Sequence, residues 1–95
     1  MNAGAKKINQ QAVRMAATTL ILAEGSTTTL DVKIHLRKRG YQAYQSDVSD
    51  LLFAVAQGEN WAMNDNGTYR VYYFPNLTAL PNYRLNLPKN NSRIF

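Results

Sequence analysis

The stretch that most limits the fold is WAMNDNGTYRVYYF, residues 61–74. It reads as a short run, then Asp65-Asn66-Gly67, then strict alternation from Tyr69 to Phe74. Asp-Asn-Gly between strand-forming runs is a hairpin signal: glycine supplies positive φ, and Asn and Asp side chains bond to nearby backbone. On the second strand Tyr69, Val71 and Tyr73 share one face and Arg70, Tyr72 and Phe74 the other. The first set is expected to face the core, since successive side chains alternate across a strand.

Three helical patterns precede the hairpin. Ile8, Ala12, Met15, Ala16, Thr19, Leu20 and Ala23 recur at helical spacing up to Gly25, a natural helix terminator. A second row, Val13, Ala17 and Ile21, lies on another side of that helix. Burial beneath the rest of the domain is its plain reading, and self-association is the sharper one. Three threonines, Thr27 to Thr29, favour a short extended piece with Thr29 as an N-cap. Leu30, Val32, Ile34 and Leu36 supply the apolar side of the second helix, which Gly40 stops. Ser46 is expected to cap a third helix, with Asp47 in its first turn. Val48, Leu51, Leu52 and Val55 form its core stripe, and Gly58 ends it.

Three helices followed by a hairpin is the order of a winged helix, an α+β fold, placed at residues 1–75. The remainder, 76–95, holds four leucines, two prolines and no sustained period, and is expected to be an extended, partly mobile tail.

Composition narrows the function. The chain has 95 residues, 45% of them apolar, enough for one globular domain. No apolar run approaches the roughly 18 residues of a membrane span, and no signal-peptide core follows Lys6 and Lys7, so a cytoplasmic protein is expected. Without cysteine there is no disulfide, thiolate nucleophile or cysteine-based zinc site. His35, the one histidine, has no second ligand at metal spacing and reads as a surface residue. No nucleophile elbow, phosphate loop or paired acidic motif occurs, so neither an enzyme nor a cofactor is expected.

The residues LRKRGYQAYQSDVSDLL (36–52), with YRVYYFP (69–75), resemble the N-terminal DNA-binding domain of bacterial arginine repressors. In that family a Gln-Ser-x-Val-Ser pattern opens the recognition helix, and a strand leads out through aromatics to a proline. The resemblance covers about half the chain. It implies that Gln45, Ser46 and Ser49 face DNA. The family's arginine-binding second domain has no counterpart, so arginine sensing is not implied.

Charge complicates that implication. The family places basic residues where Asp47 and Asp50 stand. The net charge is +5, but residues 26–74 sum to zero. An aspartate about 7 Å from a phosphate is repelled by roughly 0.6 kcal/mol in water before screening. Asp50 can nonetheless accept a hydrogen bond from a cytosine amino group, which leaves it a base-facing candidate beside Gln45, Ser46 and Ser49. Lys33, Arg37, Lys38 and Arg39, on or just after the second helix, are the phosphate-facing candidates. Arg70 on the hairpin joins them, as do Lys6 and Lys7, reaching from a flexible N-terminus. A dipole match at the C-terminus of the second helix is the bland account of the Arg37–Arg39 run.

Two functions therefore stand open. One is a small transcriptional or mobile-element regulator binding double-stranded DNA, as a monomer or weak homodimer. The other is a protein-interaction module, an adaptor or inhibitor of a nucleic-acid enzyme, using the acidic third helix and the tail. RNA binding is a third, resting on six tyrosines and net charge.

Overall fold

The computed structural model describes residues 5–75; the tail expected at 76–95 lies outside them. Helix α1 spans Gln10–Glu24. Asn9 caps it by accepting from the Ala12 N–H at 2.8 Å, and Gly25, at φ 92°, ends it by donating to the Ile21 carbonyl. A second helix, α2, spans Thr29–Lys38. Its cap is Thr28 rather than Thr29, because Thr28 is still extended and its hydroxyl accepts from Asp31 N–H.

Helix α3 spans Gln45–Glu59. Its N-cap is Tyr44, which makes no side-chain cap bond, so Ser46 is not the cap expected of it. The reason is visible in the backbone: the Val48 N–H already donates to the Tyr44 carbonyl at 2.9 Å, placing Ser46 inside the first turn. Gly58 does not end the helix either. It continues to Glu59 and closes at Asn60, whose φ of 60° gives the left-handed terminator that asparagine tolerates.

Five short strands complete the fold: β1 (Lys6–Lys7), β2 (Thr27–Thr28), β3 (Tyr41–Gln42), β4 (Ala62–Asp65) and β5 (Arg70–Tyr73). Strands β2, β5 and β4 form an antiparallel sheet in that order. The β4–β5 turn is held by side chains: Asp65 Oδ1 accepts from Gly67 N–H, and Asn66 Oδ1 from Thr68 and Tyr69 N–H. Gly67 sits at φ 89°, where a side chain would be strained. Strands β1 and β3 pair in parallel as a separate ribbon. The architecture is thus α+β, three helices with a small three-stranded antiparallel sheet, an arrangement compatible with a winged helix. Among the described residues no helix is long and apolar enough to cross a membrane.

The core corrects three face assignments. On α1 the buried residues are Val13, Ala16, Ala17 and Ile21, while Met15 is 59% exposed. The row that offered a self-association surface is therefore the core row, and it is closed to a second copy. On α2 only Val32 and Leu36 are buried; Leu30 and Ile34 lie 50% and 42% exposed. Spacing of two residues turns a helix by about 200°, so these two pairs cannot share a face.

On β5 the inward residue is Tyr72, fully buried, while Tyr69 and Tyr73 face outward. Tyr72 stands between Thr27 on β2 and Met63 on β4 in the sheet register. The expected face is therefore inverted, and the inner face is the one that also carries Arg70. Arg70, at the end of the strand, lays its guanidinium 4.7 Å from the Phe53 ring centroid and keeps partial exposure.

The Tyr72 hydroxyl is buried with no hydrogen-bond partner. A buried polar atom left unpaired costs stability, so deleting it should not. Tyr72→Phe is expected to leave stability within about 1 kcal/mol of wild type or to raise it. A loss above about 2 kcal/mol in urea denaturation would show that the hydroxyl is bonded in solution.

Candidate nucleic-acid interface

The N-terminal half of α3 meets the hairpin across a groove. Gln45 and Ser49 stand four residues apart, one above the other on the flank that faces the β4–β5 turn. With Thr29, Thr68, Tyr69 and Arg70 they line a cavity of about 290 Å³. A second cavity of about 430 Å³ adjoins it, with Leu30, Gln45 and Tyr69 in its wall. Gln45 thus stands between the two. The lining offers amide and hydroxyl groups that both donate and accept, suited to reading base edges or peptide groups.

Of the base-facing candidates, the structure brings Gln45 and Ser49 together in the groove. Ser46 and Asp50 lie about 100° further round α3, exposed on its outer crest. Thr29, Thr68 and Tyr69 are lining residues the sequence reading did not assign. Thr29 reaches the groove only because β2 pairs with β5, a long-range contact that no local spacing announces.

The phosphate-facing candidates do not form one group. Lys33 and Arg37 follow Thr29 at four-residue steps, on the flank of α2 nearest α3. Arg37 is partly committed to structure, since its Nε donates to the Ala43 carbonyl at 2.9 Å and so holds the α2–α3 turn. Lys38 lines a cavity between α1 and α2 that also contains Glu24 and Asp31. Arg39 lines a shallow one beside Met15 and Tyr41. Lys6 and Lys7 do not reach out from a flexible arm. Pairing in register with Tyr41 and Gln42 pins both, because the Lys6 N–H donates to the Gly40 carbonyl at 3.0 Å.

The chain matches no protein-family model, no curated protein and no solved structure. Its site therefore has to be read from its own electrostatics. Arg70 is the cation nearest the groove, and it is largely answered within the protein. Its Nε lies 3.7 Å from Asp65 Oδ2, and its pKa is raised by the Tyr72 hydroxyl first, then by Asp65 and Asp50. The Tyr72 hydroxyl does this from beside the guanidinium, outside hydrogen-bond geometry. Residues 41–75, which hold α3 and the hairpin, carry Arg70 against Asp47, Asp50, Glu59 and Asp65, a net −3. Residues 5–40 carry seven cations against Glu24 and Asp31, a net +5. Charge is thus divided along the chain, with most of the described cations before residue 41 and most of the described carboxylates after it.

His35 lies in the basic part of the chain. Its pKa is lowered, by burial first and then by Arg39 and Lys38. Among the described residues no group of three His, Asp or Glu side chains is placed to hold a metal ion.

Proposed function

We propose that the chain is a small winged-helix protein that binds double-stranded DNA, as a transcriptional or mobile-element regulator. The observation that carries this reading is the polar groove between α3 and the hairpin, built on helices α1, α2 and α3 and a sheet of order β2-β5-β4. In such a fold the third helix enters the major groove, and Gln45 has the bidentate amide that pairs with adenine. The resemblance of residues 36–52 and 69–75 to arginine-repressor DNA-binding domains supports the same assignment. Ser46 and Asp50, on the crest, are placed to meet bases if the helix enters deeply.

The test is a selection from random duplexes, run with wild type and Gln45→Ala in parallel. The expected result is an enriched motif with wild type that weakens or changes at one position in the variant. A base contact of this kind is worth about 1–3 kcal/mol of discrimination. No motif with either protein would reject sequence readout by α3.

The net charge of −3 on residues 41–75 favours a second reading, in which α3 and the hairpin bind a basic protein. The crest carries Asp50 outward, and Leu30 and Tyr69 at the groove mouth offer apolar contact. Charge reversal at Asp47 and Asp50 separates the two.

A further inference from the structure

We propose that the β1–β3 ribbon and the C-terminal end of α2 form the surface that grips the DNA backbone, and that the hairpin takes no part in phosphate binding. The identity of the polyanion rests on the DNA reading above; the surface itself does not.

Three cations meet at the ribbon, Lys6, Lys7 and Arg39, with Arg37 and Lys38 next to Arg39 on diverging sides of the last turn of α2. Arg37, Lys38 and Arg39 end α2, and all three are exposed. Cations in that position answer the helix dipole and by themselves indicate nothing further. Lys6 and Lys7 are different. They belong to another part of the chain, and the fold brings them over by a dedicated two-residue parallel pairing with Tyr41 and Gln42. The Lys6 ammonium lies 4.4 Å from the Tyr41 ring centroid, and Arg39 lines the cavity on which Tyr41 also borders.

Gathering like charges is unfavourable unless something negative answers them. Among the described residues no carboxylate lies within ion-pair distance of Lys6, Lys7 or Arg39; Lys38 shares its cavity with Glu24 and Asp31, neither of them within 4.0 Å of it. Among the same residues the one ion pair within 4.0 Å is Arg70 with Asp65, on the hairpin. The His35 pKa is lowered by burial first and then by Arg39 and Lys38, which places both cations near it.

The neighbouring groups suggest which polyanion fits. The ribbon residues are Lys6, Lys7, Tyr41 and Gln42, with no aliphatic side chain apart from the lysine stems. Met15, exposed in the cavity beside Arg39 and Tyr41, is a lone apolar side chain there, whereas a membrane surface would want a face of apolar anchors beside the charge. The exposed polar neighbours are Gln42 and Tyr44, whose side chains bond to each other at 2.8 Å, and Tyr44 leads straight into Gln45 of the groove. A duplex backbone lying on the ribbon would therefore leave the start of α3 beside the bases. The hairpin, by contrast, offers Arg70 already facing Asp65, with Asp65 and Asn66 toward its tip. In this protein the ribbon does the phosphate gripping that a basic wing would otherwise do.

The test compares three proteins: wild type, Lys6→Gln/Lys7→Gln/Arg39→Gln, and the hairpin control Arg70→Gln, which removes the one cation of the β4–β5 hairpin. Binding to a mixed-sequence duplex of about 30 base pairs is followed by fluorescence anisotropy across salt. With four or five phosphates neutralised, wild type should give a log K against log salt slope of about −3.6 to −4.5. The ribbon variant should lose about 2.7 from that slope's magnitude, and the hairpin control should keep it. A ribbon variant that binds like wild type, or a hairpin control that loses as much, overturns the proposal. Inorganic polyphosphate separates the two readings. Polyphosphate binding that the ribbon variant loses, without duplex binding by wild type, would uphold the surface and sink the DNA reading. Binding to neither probe overturns the surface, and tighter binding to polyglutamate than to duplex would replace DNA with an acidic protein.

Discussion

Leu52→Ala is expected to cost about 2–5 kcal/mol and to leave much of the protein unfolded at 37 °C, since domains of this size have about 5–15 kcal/mol in total. Leu52 is fully buried on α3, among Val48, Val55 and Ala56 of the same helix and the core of α1 and α2. Truncation would remove its transfer energy and leave a cavity at the junction of all three helices. Leu51, its neighbour, only packs against that core from a half-buried position. Leu51→Ala should therefore cost less, about 1–2 kcal/mol. Urea midpoints for the two variants, measured side by side, check the order. Equal losses would mean that α3 is rotated relative to the structure described here.

The same comparison shows where local sequence patterns suffice. Of the stripe read from spacing, Val48, Leu51, Leu52 and Val55, three residues are buried on one face of the helix and Leu51 lies half-buried at its edge. Gly25 and Gly40 marked chain reversals because each needs positive φ, and both have it, at 92° and 87°. The Asp65-Asn66-Gly67 turn was legible for the same reason. What was not legible depends on contacts between distant segments. Either face of β5 could have been the inner one, since each carries two aromatics or an aromatic pair with a valine. The choice is made by Phe53, which gives Arg70 a ring to rest on and so permits Tyr72 to turn inward. Nothing near Lys6 in the chain announces that it will pair with Tyr41. Gln45 and Ser49 were singled out by the resemblance of residues 36–52, whereas Thr29 and Thr68 needed the sheet to bring them into the groove.

Asp47→Lys/Asp50→Lys is the substitution with the largest expected effect on binding, and its sign discriminates between the two functions. Both residues are exposed on α3. If α3 lies in the major groove, the change removes two repulsions and adds up to two phosphate contacts, so the salt slope should steepen by about 1.8. Affinity for duplex DNA near 50 mM salt should then rise by roughly tenfold or more. Asp47 stands in the first turn, so losing its favourable interaction with the helix dipole should cost about 0.3–1 kcal/mol of stability. That is too little to unfold the domain. If α3 instead binds a basic protein, the same variant places two lysines against like charge, and complementarity becomes repulsion. Binding to a cationic partner would fall, and duplex affinity would rise only by the non-specific amount that any added lysine gives. The deciding comparison is therefore with exposed sites away from the interface: Gln11→Lys/Gln57→Lys/Glu59→Lys, on α1 and the C-terminal turn of α3, makes the same change of +4 in net charge. An Asp47/Asp50 variant that gains no more DNA affinity than this control would place the aspartates outside any DNA contact, and α3 would then have to be read as a surface for protein.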